Sequence, residues 1–431
     1  MVLWGIQDKG VPVAYQSLAK LFYKDSSPER FSRNEARAAQ RRDAESTFRT
    51  GLDMGAGELF LAVPRELSLL NEHVLRHERK VSGLLRSLPP IAHAALVRRL
   101  VADEVVCSNE IEDVHSTRRQ ISELLEAELE SPRRSPDENR RFREFTRLYL
   151  ELTDRNHTVP RTPADVRAIY DRVMAGEDLK GNMPDGTLFR RGRVEILGHG
   201  GKVLHEGLYP ESAIISAMEC MLALVSSEAV PETYGAIVSH YIFEAAHPFY
   251  DGNGRTGRYL LALFLSEPLS ISTSLSLSRA IAENKNAYYK AFKDADHPQN
   301  HGELTGFVMS MMELILQAQE NIVEDLEEKR ARLEEAQGGL RGVEERFGLR
   351  RQEVDMVFLL LQVDLFGAIP DVSLAEMARH VGLGPQMTRR YARRLEEAGL
   401  ATVVRKNPLR FVLSREAEGL LGISSTLRAQ E

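Results

Sequence analysis

The 431-residue sequence has few cysteines and no long apolar run. Cys107 and Cys220 lie far apart and belong to no C-x-x-C pair or Cys/His cluster, which excludes a disulfide framework and argues against a zinc site. The richest apolar runs, 259–265 and 357–361, are too short to span a bilayer, and the first residues lack the pattern of an export signal. We therefore expect a cytoplasmic protein without a membrane partner.

A strong excess of one charge is also lacking. The chain has 56 Lys and Arg against 63 Asp and Glu, a net charge of −7, so no overall field favours nucleic acid or an anionic membrane. Hydrophobic residues make up 43% of the sequence, enough to build globular cores, and the length predicts two or three domains. Any basic binding surface must therefore be local.

Helical periodicity dominates the chain. Apolar residues recur at three- and four-residue spacing from Pro64 to Leu129, and Thr162 followed by Pro163 gives a helix start signal. Residues 28–50 have few large apolar side chains and are interpreted as a linker, whereas the Gly-rich segment 190–209 predicts the chain's one β-hairpin. The charged segment 321–336 predicts a solvated helix that ends at the domain boundary Gly338–Gly339.

The last part of the chain differs from the rest. Residues 373–383 and 385–400 predict two helices across a short Gly turn, and 401–414 alternate as a two-stranded wing, which together indicate a winged helix-turn-helix. Residues 346–431 have 13 Lys and Arg against 10 Asp and Glu. We expect an all-α fold with a single β-hairpin and three units: an N-terminal helical region at 1–155, a central unit at 156–337, and a winged-helix domain at 346–431.

One segment, His247–Arg258, has the composition of a nucleotide site. Its sequence is HPFYDGNGRTGR. A histidine next to an anion cradle is suited to act as a general base, and the glycines expose backbone N–H groups at a helix N-terminus, where phosphate is favoured. Asp251 supplies a hard oxygen ligand for Mg²⁺, and Arg255 and Arg258 have the charge and geometry to neutralise outer phosphates. These residues predict a Mg-nucleotide site with a base beside it.

The same twelve residues resemble the motif of the Fic family, H-P-F-x-D-G-N-G-R-x-x-R, at every fixed position. The resemblance extends from about Thr162 to Leu316 and implies a helical bundle with a hairpin flap. It also implies transfer of AMP from ATP to a Ser, Thr or Tyr hydroxyl of a target protein. By position, His247 would be the catalytic base, Phe249 the core anchor of the loop and Asp251 the Mg²⁺ ligand. The nucleotide-binding residues would be Gly252, Asn253, Gly254, Arg255, Thr256, Gly257 and Arg258.

Further expectations follow from this resemblance. The related Doc branch, which phosphorylates its targets, has Lys where this chain has Gly254, so nucleotidyl transfer is favoured. Tyr288 and Tyr289 are similar to a Tyr pair that lines the family's adenine pocket, with core packing as the alternative. Residues 190–204 would be the flap that binds the target's main chain as an added strand.

A helix near residues 105–116 resembles the family's inhibitory helix, with Ser108 and Glu112 in place and Asp113 where Gly or Asn is usual. Ser122 with Glu126 is a second match to the same short pattern, and a solvated helix face is the structural alternative. His199 and His205 could be metal ligands, but we favour ordinary loop polarity.

An alternative function belongs to a different class. The protein could be a winged-helix regulator that binds DNA or protein, in which the Fic site senses a nucleotide or removes AMP. Basic residues on the second helix and the wing would contact DNA phosphates: Arg389, Arg390, Arg393, Arg394, Arg405, Lys406 and Arg410. Salt-dependent binding to DNA would support this alternative.

Overall fold

The computed structural model describes residues 15–130, 141–154, 157–197 and 203–423. Most of these residues are helical, and the strands form three small antiparallel sheets. None of the helices in these ranges is long and apolar enough to cross a membrane. Residue 199, the hairpin centre and the Pro-rich stretch 131–137 lie outside the described residues.

The N-terminal region contains a hairpin among helices, which the sequence analysis did not predict. Its elements are α1 (Leu18–Lys24), α2 (Arg30–Arg42), β1 (Thr47–Asp53), β2 (Glu58–Ala62), α3 (Arg65–Ser87), α4 (Pro90–Ile111), α5 (Arg118–Glu130) and α6 (Arg143–Thr153). Strands β1 and β2 pair antiparallel, so residues 190–209 do not form the only hairpin. The interpretation of residues 28–50 as a linker is also wrong, because they form α2 and begin β1.

Polar contacts attach this first region to the middle of the chain. Asn34 is buried and donates from Nδ2 to the carbonyl of Gln299 at 2.9 Å, and Arg41 pairs with Glu303 at 2.7 Å. Helix α2 therefore packs through polar side chains. A search for apolar periodicity does not detect such an anchor.

The central region contains the hairpin and the helices that position the candidate site. Its elements are α7 (Pro163–Val173), β3 (Glu195–Leu197), β4 (Val203–Glu206), α8 (Glu211–Val225), α9 (Glu232–Ala246), α10 (Asn253–Leu265), α11 (Ile271–Ser274), α12 (Leu277–Glu283), α13 (Lys285–Ala295) and α14 (Thr305–Phe347). Helix α7 begins with the predicted Thr162 cap, completed by a capping box with Asp165. Helices α9 and α10 are buried along most of their length, so the loop between them is held on both sides.

Helix α14 corrects the predicted boundary at Gly338–Gly339. It runs without a break through both glycines to Phe347 and is about 65 Å long. A Cβ on Gly339 would lie 3.1 Å from the Cα of Leu421, so the glycine permits close packing of the C-terminal backbone. The segment predicted to be a solvated linker buries Leu326 and Leu333, and α14 packs against α3.

The C-terminal region is joined to the rest by many contacts. Its elements are α15 (Arg351–Phe366), β5 (Asp371–Ser373), α16 (Leu374–Val381), α17 (Pro385–Glu397), β6 (Ala401–Lys406), β7 (Leu409–Leu413) and α18 (Arg415–Leu420), with sheet order β5-β7-β6. Helix α15 packs against α4, and Gln362 accepts a hydrogen bond from the backbone of Ala92 at 3.3 Å. Arg410 binds both carboxylate oxygens of Glu126 at 2.8 Å.

Candidate active site

His247 stands at the C-terminal end of α9 in a left-handed conformation. Its φ and ψ are 48° and 61°, and its backbone N–H donates to the carbonyl of Phe243 at 3.0 Å. A residue other than glycine adopts this conformation only where its surroundings enforce it. The backbone turn directs the chain out of α9 and into the candidate loop, with the His247 side chain at the corner.

The loop after His247 is closed on itself and on the core. Phe249 is fully buried and stacks on Tyr170 of α7 with 3.6 Å between ring centroids, so the predicted core anchor is confirmed. The side-chain amide of Asn253 accepts from the backbone N–H of Phe249 at 2.9 Å and donates to its carbonyl at 2.8 Å. The Asn253 side chain thus shapes the loop, which leaves its backbone N–H as the group available to phosphate.

Helix α10 begins at Asn253 and points its first turn at the open side of the loop. Gly252 precedes it with φ 78°, and the Sδ atom of Met174 lies 2.3 Å from where a Cβ on Gly252 would be. A side chain at residue 252 would therefore collide with Met174 and strain the backbone. Because the first N–H groups of a helix have no intrahelical acceptor, this turn offers donors and partial positive charge to an anion.

Asp251 lies beside this turn and is exposed. One of its carboxylate oxygens accepts the N–H of Gly252 at 2.6 Å. The described residues contain no group of three or more His, Cys, Asp or Glu arranged to hold a metal ion. Mg²⁺ bound to a nucleotide needs only one or two protein carboxylates, since phosphates and water supply its other ligands. The single exposed carboxylate of Asp251, beside the first turn of α10, fits that requirement.

The two arginines of the motif have different partners. Arg255 is 3% exposed and pairs with Glu177 at 2.7 Å, and Glu177 also accepts from Arg141 at 2.8 Å. Arg258 is 2% exposed; it donates from Nη1 to Glu112 at 2.9 Å and from Nε to the hydroxyl of Ser108 at 3.0 Å. Each arginine is thus ion-paired in this structure, and the expectation that both bind the outer phosphates stays a prediction.

Ser108 and Glu112 lie where α4 ends, and both contact Arg258. Ser108 is the more deeply held, because its carbonyl also accepts from Nη2 of Arg258 at 2.7 Å. Glu112 is the C-cap residue of α4, and Asp113 follows it with φ 56°, a conformation in which Gly or Asn is less strained. The second match to the pattern lies elsewhere, since Glu126 pairs with Arg410.

Gly254 faces the carboxylate of Glu112. A Cβ on Gly254 would lie 2.0 Å from Oε1 of Glu112 and 2.9 Å from Nη1 of Arg258. Thr256 and Gly257 do not share this open side. Thr256 is fully buried, and a Cβ on Gly257 would lie 2.1 Å from Oε1 of Glu244 on α9. Neither residue therefore presents a side chain to the open side of the loop.

The tyrosine pair divides into a buried and an exposed ring. Tyr288 is 2% exposed and its hydroxyl lies 2.8 Å from Nε2 of His240, whereas Tyr289 is 46% exposed. Burial, aided by the charge of Arg258, lowers the pKa of His240 to about 3, so this histidine is neutral and its Nε2 accepts a hydrogen bond from the Tyr288 hydroxyl. Burial raises the pKa of Tyr289 to about 12, and the charge of Glu112 adds to the shift. Only Tyr289 presents an accessible ring beside Glu112.

The electrostatic surroundings favour a neutral His247. Burial lowers the pKa of its imidazole to about 4, and the positive charges of His205 and Arg190 add to the shift. Its Nδ1 is buried without a partner in the part of the chain that the structure describes. An unprotonated imidazole is the form a general base requires.

Sequence reasoning missed three side chains around this loop. Arg190 is fully buried and donates to the carbonyls of His247 and Ala246, and His205 is bonded to Ala245 and Asp296 rather than being ordinary loop polarity. Glu244, three residues before His247, has a buried Oε1 atom, and desolvation raises the pKa of its carboxyl to about 8. Arg190 is the first residue of the segment predicted to form the hairpin, and a lone arginine there gave no periodic signal.

Comparison with known proteins places this loop in a family. Residues 160–265 match the Fic/DOC family. A protein of Aquifex aeolicus (strain VF5) named as a probable protein adenylyltransferase is 28% identical over 199 residues, which cover 46% of this chain and 55% of that protein. The chain thus spans about half the length of this curated relative.

Solved structures of Fic proteins are also similar to the chain. A Fic family protein from Desulfovibrio desulfuricans G20 has a TM-score of 0.46 and 18% identity, covering 80% of this chain and 96% of that protein. Fic-1 from C. elegans has a TM-score of 0.41 and 18% identity, covering 61% of this chain and 76% of that one.

The matched segment contains the whole His247–Arg258 loop, the helices that flank it and the hairpin that contacts it. Residues 160–265 therefore form a domain of the Fic/DOC family.

Proposed function

We propose that the chain transfers AMP from ATP to a hydroxyl group of a target protein. The observation that carries this proposal is the position of a half-buried, neutral His247 in the loop that leads to a helix N-terminus offering backbone N–H donors. His247 removes the hydroxyl proton, the hydroxyl oxygen bonds to the α-phosphorus, and the α–β phosphoanhydride bond breaks to release pyrophosphate. The name of the Aquifex relative supports the same reaction class.

The residues of the cradle divide the work of binding phosphate. The N–H groups of the first turn of α10 meet the α- and β-phosphates, and Arg258 meets the outermost phosphate once Glu112 leaves it. Asp251 would hold Mg²⁺, which supplies charge neutralisation on the phosphates when bound. Tyr289 is the tyrosine available to contact the adenine, because Tyr288 is buried and bonded to His240.

Glu112 restrains this reaction in the proposal. Its carboxylate is paired with the guanidinium of Arg258, which the outer phosphate needs as a partner, and its negative charge repels that phosphate. The pairing also raises the pKa of Arg258 against the opposing effect of its burial, which indicates a strong attraction between the two groups. Nucleotide binding in a reactive arrangement therefore requires that Glu112 move away.

Labelled ATP distinguishes AMP transfer from phosphorylation. Incubation of the Glu112→Gly chain, in which the restraint is removed, with cell lysate and ATP labelled on the α-phosphate is expected to label protein, and ATP labelled on the γ-phosphate is not. Label from the γ position alone would mean phosphorylation and would overturn the proposal. Loss of label when modified protein is returned to the chain without ATP would instead support AMP removal by the same site.

The target is proposed to dock on the hairpin. Strands β3 and β4 pair with each other, with Ile196 opposite His205, and the hairpin contacts the end of α9. An extended segment of the target adds to this sheet edge and brings its hydroxyl to His247. Backbone hydrogen bonds of that kind bind many sequences, so the hairpin alone does not determine the target.

A second candidate function is DNA binding by the C-terminal region. Its helix–strand–helix–helix–strand–strand order and three-stranded sheet support the proposal of a winged helix in this region. The side chains of Arg389, Arg390 and Arg393 on α17 are exposed, and Arg405 and Lys406 are exposed on the wing. Arg394 and Arg410 are ion-paired with Glu353 and with Glu126 and Asp371, so those two serve structure.

Fluorescence anisotropy with a labelled DNA duplex tests this second function. Binding that weakens steeply with salt and is lost on replacing Arg389, Arg390 and Arg393 by Ala would support it. The matched control replaces Arg65, Arg76 and Arg79 on α3, which should leave binding unchanged. Equal loss in both triple variants, or no binding at low salt, would contradict it.

A further inference from the structure

Two basic side chains grip the C-terminal end of α9 from the two sides of the hairpin. Arg190 comes from the segment before β3, and His205 lies on β4. Together they hydrogen-bond the last carbonyls of the helix, those of Ala245, Ala246 and His247. These three carbonyls have no intrahelical donor of their own, and the partial negative charge of a helix C-terminus favours cations there.

The Arg190 guanidinium donates its hydrogen bonds to main-chain carbonyl oxygens. It donates from Nε to His247 at 2.7 Å and from Nη2 to Ala246 at 3.2 Å, and it also binds the carbonyls of Gly192 and Leu208 at 2.6 and 2.9 Å. A Cβ on Gly207 would lie 2.3 Å from Nη2, so the glycine makes room for the guanidinium. Arg190 thereby joins both arms of the hairpin to the residue that carries the base.

The His205 imidazole has an acceptor at each nitrogen. Nε2 lies 2.7 Å from the carbonyl of Ala245, and Nδ1 lies 3.0 Å from a carboxylate oxygen of Asp296. A neutral imidazole has one N–H, so both hydrogen bonds can form only when the ring is an imidazolium. The other oxygen of Asp296 accepts from the hydroxyl of Tyr241 at 2.6 Å, which fixes the carboxylate in place.

We propose that Arg190 and His205 are positioning residues for the proposed transfer: they hold His247 in its left-handed turn beside the hairpin, and their positive charges favour its unprotonated form. The inference rests on the proposed function for its catalytic meaning. Its structural content, a charged His205 next to a neutral His247, stands apart from any activity. One interaction network would then fix the place of the base, the charge of the base and the position of the target strand.

The charges around His205 are consistent with this role. Asp296 faces it from the end of α13, Glu244 and His247 face it from α9, and Arg190 acts on His247 with a charge of the same sign. Burial opposes the charged form of His205, but the hydrogen bond and charge of Asp296 outweigh it and raise the pKa. Between the lowered pKa of His247, about 4, and the raised pKa of His205, His205 is therefore positive while His247 is neutral.

Histidine ring NMR of the full chain without ATP tests the inference. The His247 signal is identified by its loss in His247→Gln, and its titration midpoint is then compared between the parent chain and His205→Gln. Removal of one positive charge is expected to raise the midpoint by on the order of one pH unit. His73→Gln, a change on the exposed face of α3, is the matched control and should leave the midpoint unchanged.

An unchanged His247 midpoint in a folded His205→Gln chain would overturn the inference. If that variant does not fold, the His205 signal of the parent chain gives a second test, because a ring nitrogen that loses its proton below pH 6 contradicts the imidazolium. Where transfer is measurable, the acid limb of the pH–rate profile should move to higher pH in His205→Gln. Arg190→Lys, which keeps the charge but loses the forked geometry, should reduce the rate with little change in that limb. Absence of transfer even in Glu112→Gly would contradict the proposed function and leave the NMR result as the test of this inference.

Discussion

The carboxylate of Glu112 fills the space that a side chain at residue 254 would require. A Cβ on Gly254 would lie 2.0 Å from Oε1 of Glu112, closer than any non-bonded contact permits. The glycine thus serves two purposes: it leaves the helix N-terminus open to phosphate, and it lets an acidic side chain approach Arg258. A lysine at this position, as in the Doc branch, would exclude Glu112 from the place it holds here.

Substitution of Glu112 by Gly is expected to increase self-labelling from α-labelled ATP. The change removes the ion pair with Arg258 and the negative charge at the outer end of the cradle. Glu126→Gly is the control, because Glu126 fits the same short sequence pattern but pairs with Arg410. Equal labelling by the parent chain and Glu112→Gly would contradict the restraint, and activation by Glu126→Gly alone would assign it to the other glutamate.

Substitution of Arg258 by Ala is expected not to activate, although it breaks the same ion pair. In the proposed function the guanidinium binds the nucleotide as well as Glu112, so its loss should weaken ATP binding as well as the restraint. ATP affinity measured by calorimetry in the Glu112→Gly background, with and without Arg258→Ala, separates the two effects. An Arg258→Ala chain that labels itself as strongly as Glu112→Gly would show that this arginine is not a phosphate ligand.

Substitution of His247 by Ala should abolish most transfer and retain nucleotide binding. A general base contributes typically about 10² to 10⁴ in rate, whereas the phosphate donors belong to α10 and are untouched by the change. The comparison is made in the Glu112→Gly background, where transfer is expected to be measurable. Undiminished labelling by the double variant would exclude His247 as the base.

The ion pair between Arg410 and Glu126 should contribute to the stability of the whole chain. Both carboxylate oxygens are bound at 2.8 Å, with the Arg410 side chain 5% and that of Glu126 30% exposed. Arg410→Ala is expected to lower the free energy of unfolding by roughly 1–3 kcal/mol, less than for a fully buried pair. Denaturant titration measures the change, and Arg405→Ala on the exposed wing is the control. Equal stability of the two variants would mean that the C-terminal region is only loosely attached.

The contribution of His205 to stability should fall as pH rises. Its pKa is raised in the folded state, so the stabilisation is complete below the unfolded value near 6.5 and is lost as pH rises through the folded value. The difference in free energy of unfolding between the parent chain and His205→Gln should therefore be larger at pH 6 than at pH 9. A difference that grows between those pH values would contradict the raised pKa.

Local signals in the sequence were sufficient for several elements. The Thr162–Pro163 start of α7 and the hairpin predicted at 190–209 are confirmed, because caps and Gly-rich turns are encoded within a few residues. Residues 28–62 were not predictable in this way. Asn34 and Arg41 anchor α2 to residues more than 260 positions away, and such contacts leave no local pattern.

The candidate site shows the same division. The chemistry of residues 247–258 followed from their types, but the pairing of Arg258 with Glu112, 146 residues away, was implied only by family resemblance. The glycine pair at 338–339 led to the wrong prediction of a domain boundary. These glycines lie inside a continuous helix, where Gly339 permits contact with Leu421. Glycine marks either a break or a close approach, and only tertiary packing determines which one applies.

Helix α4 is gripped at both ends, which constrains its length as strictly as its sequence. Near its start, the N–H of Ala92 binds Gln362 of the C-terminal region, and at its end Glu112 meets Arg258. One inserted or deleted residue would turn one end relative to the other by about 100° and shift it by about 1.5 Å. Glu112 would then face away from the guanidinium with every side chain of the site intact. An insertion or deletion within α4 could therefore separate Glu112 from Arg258 without a substitution at either residue.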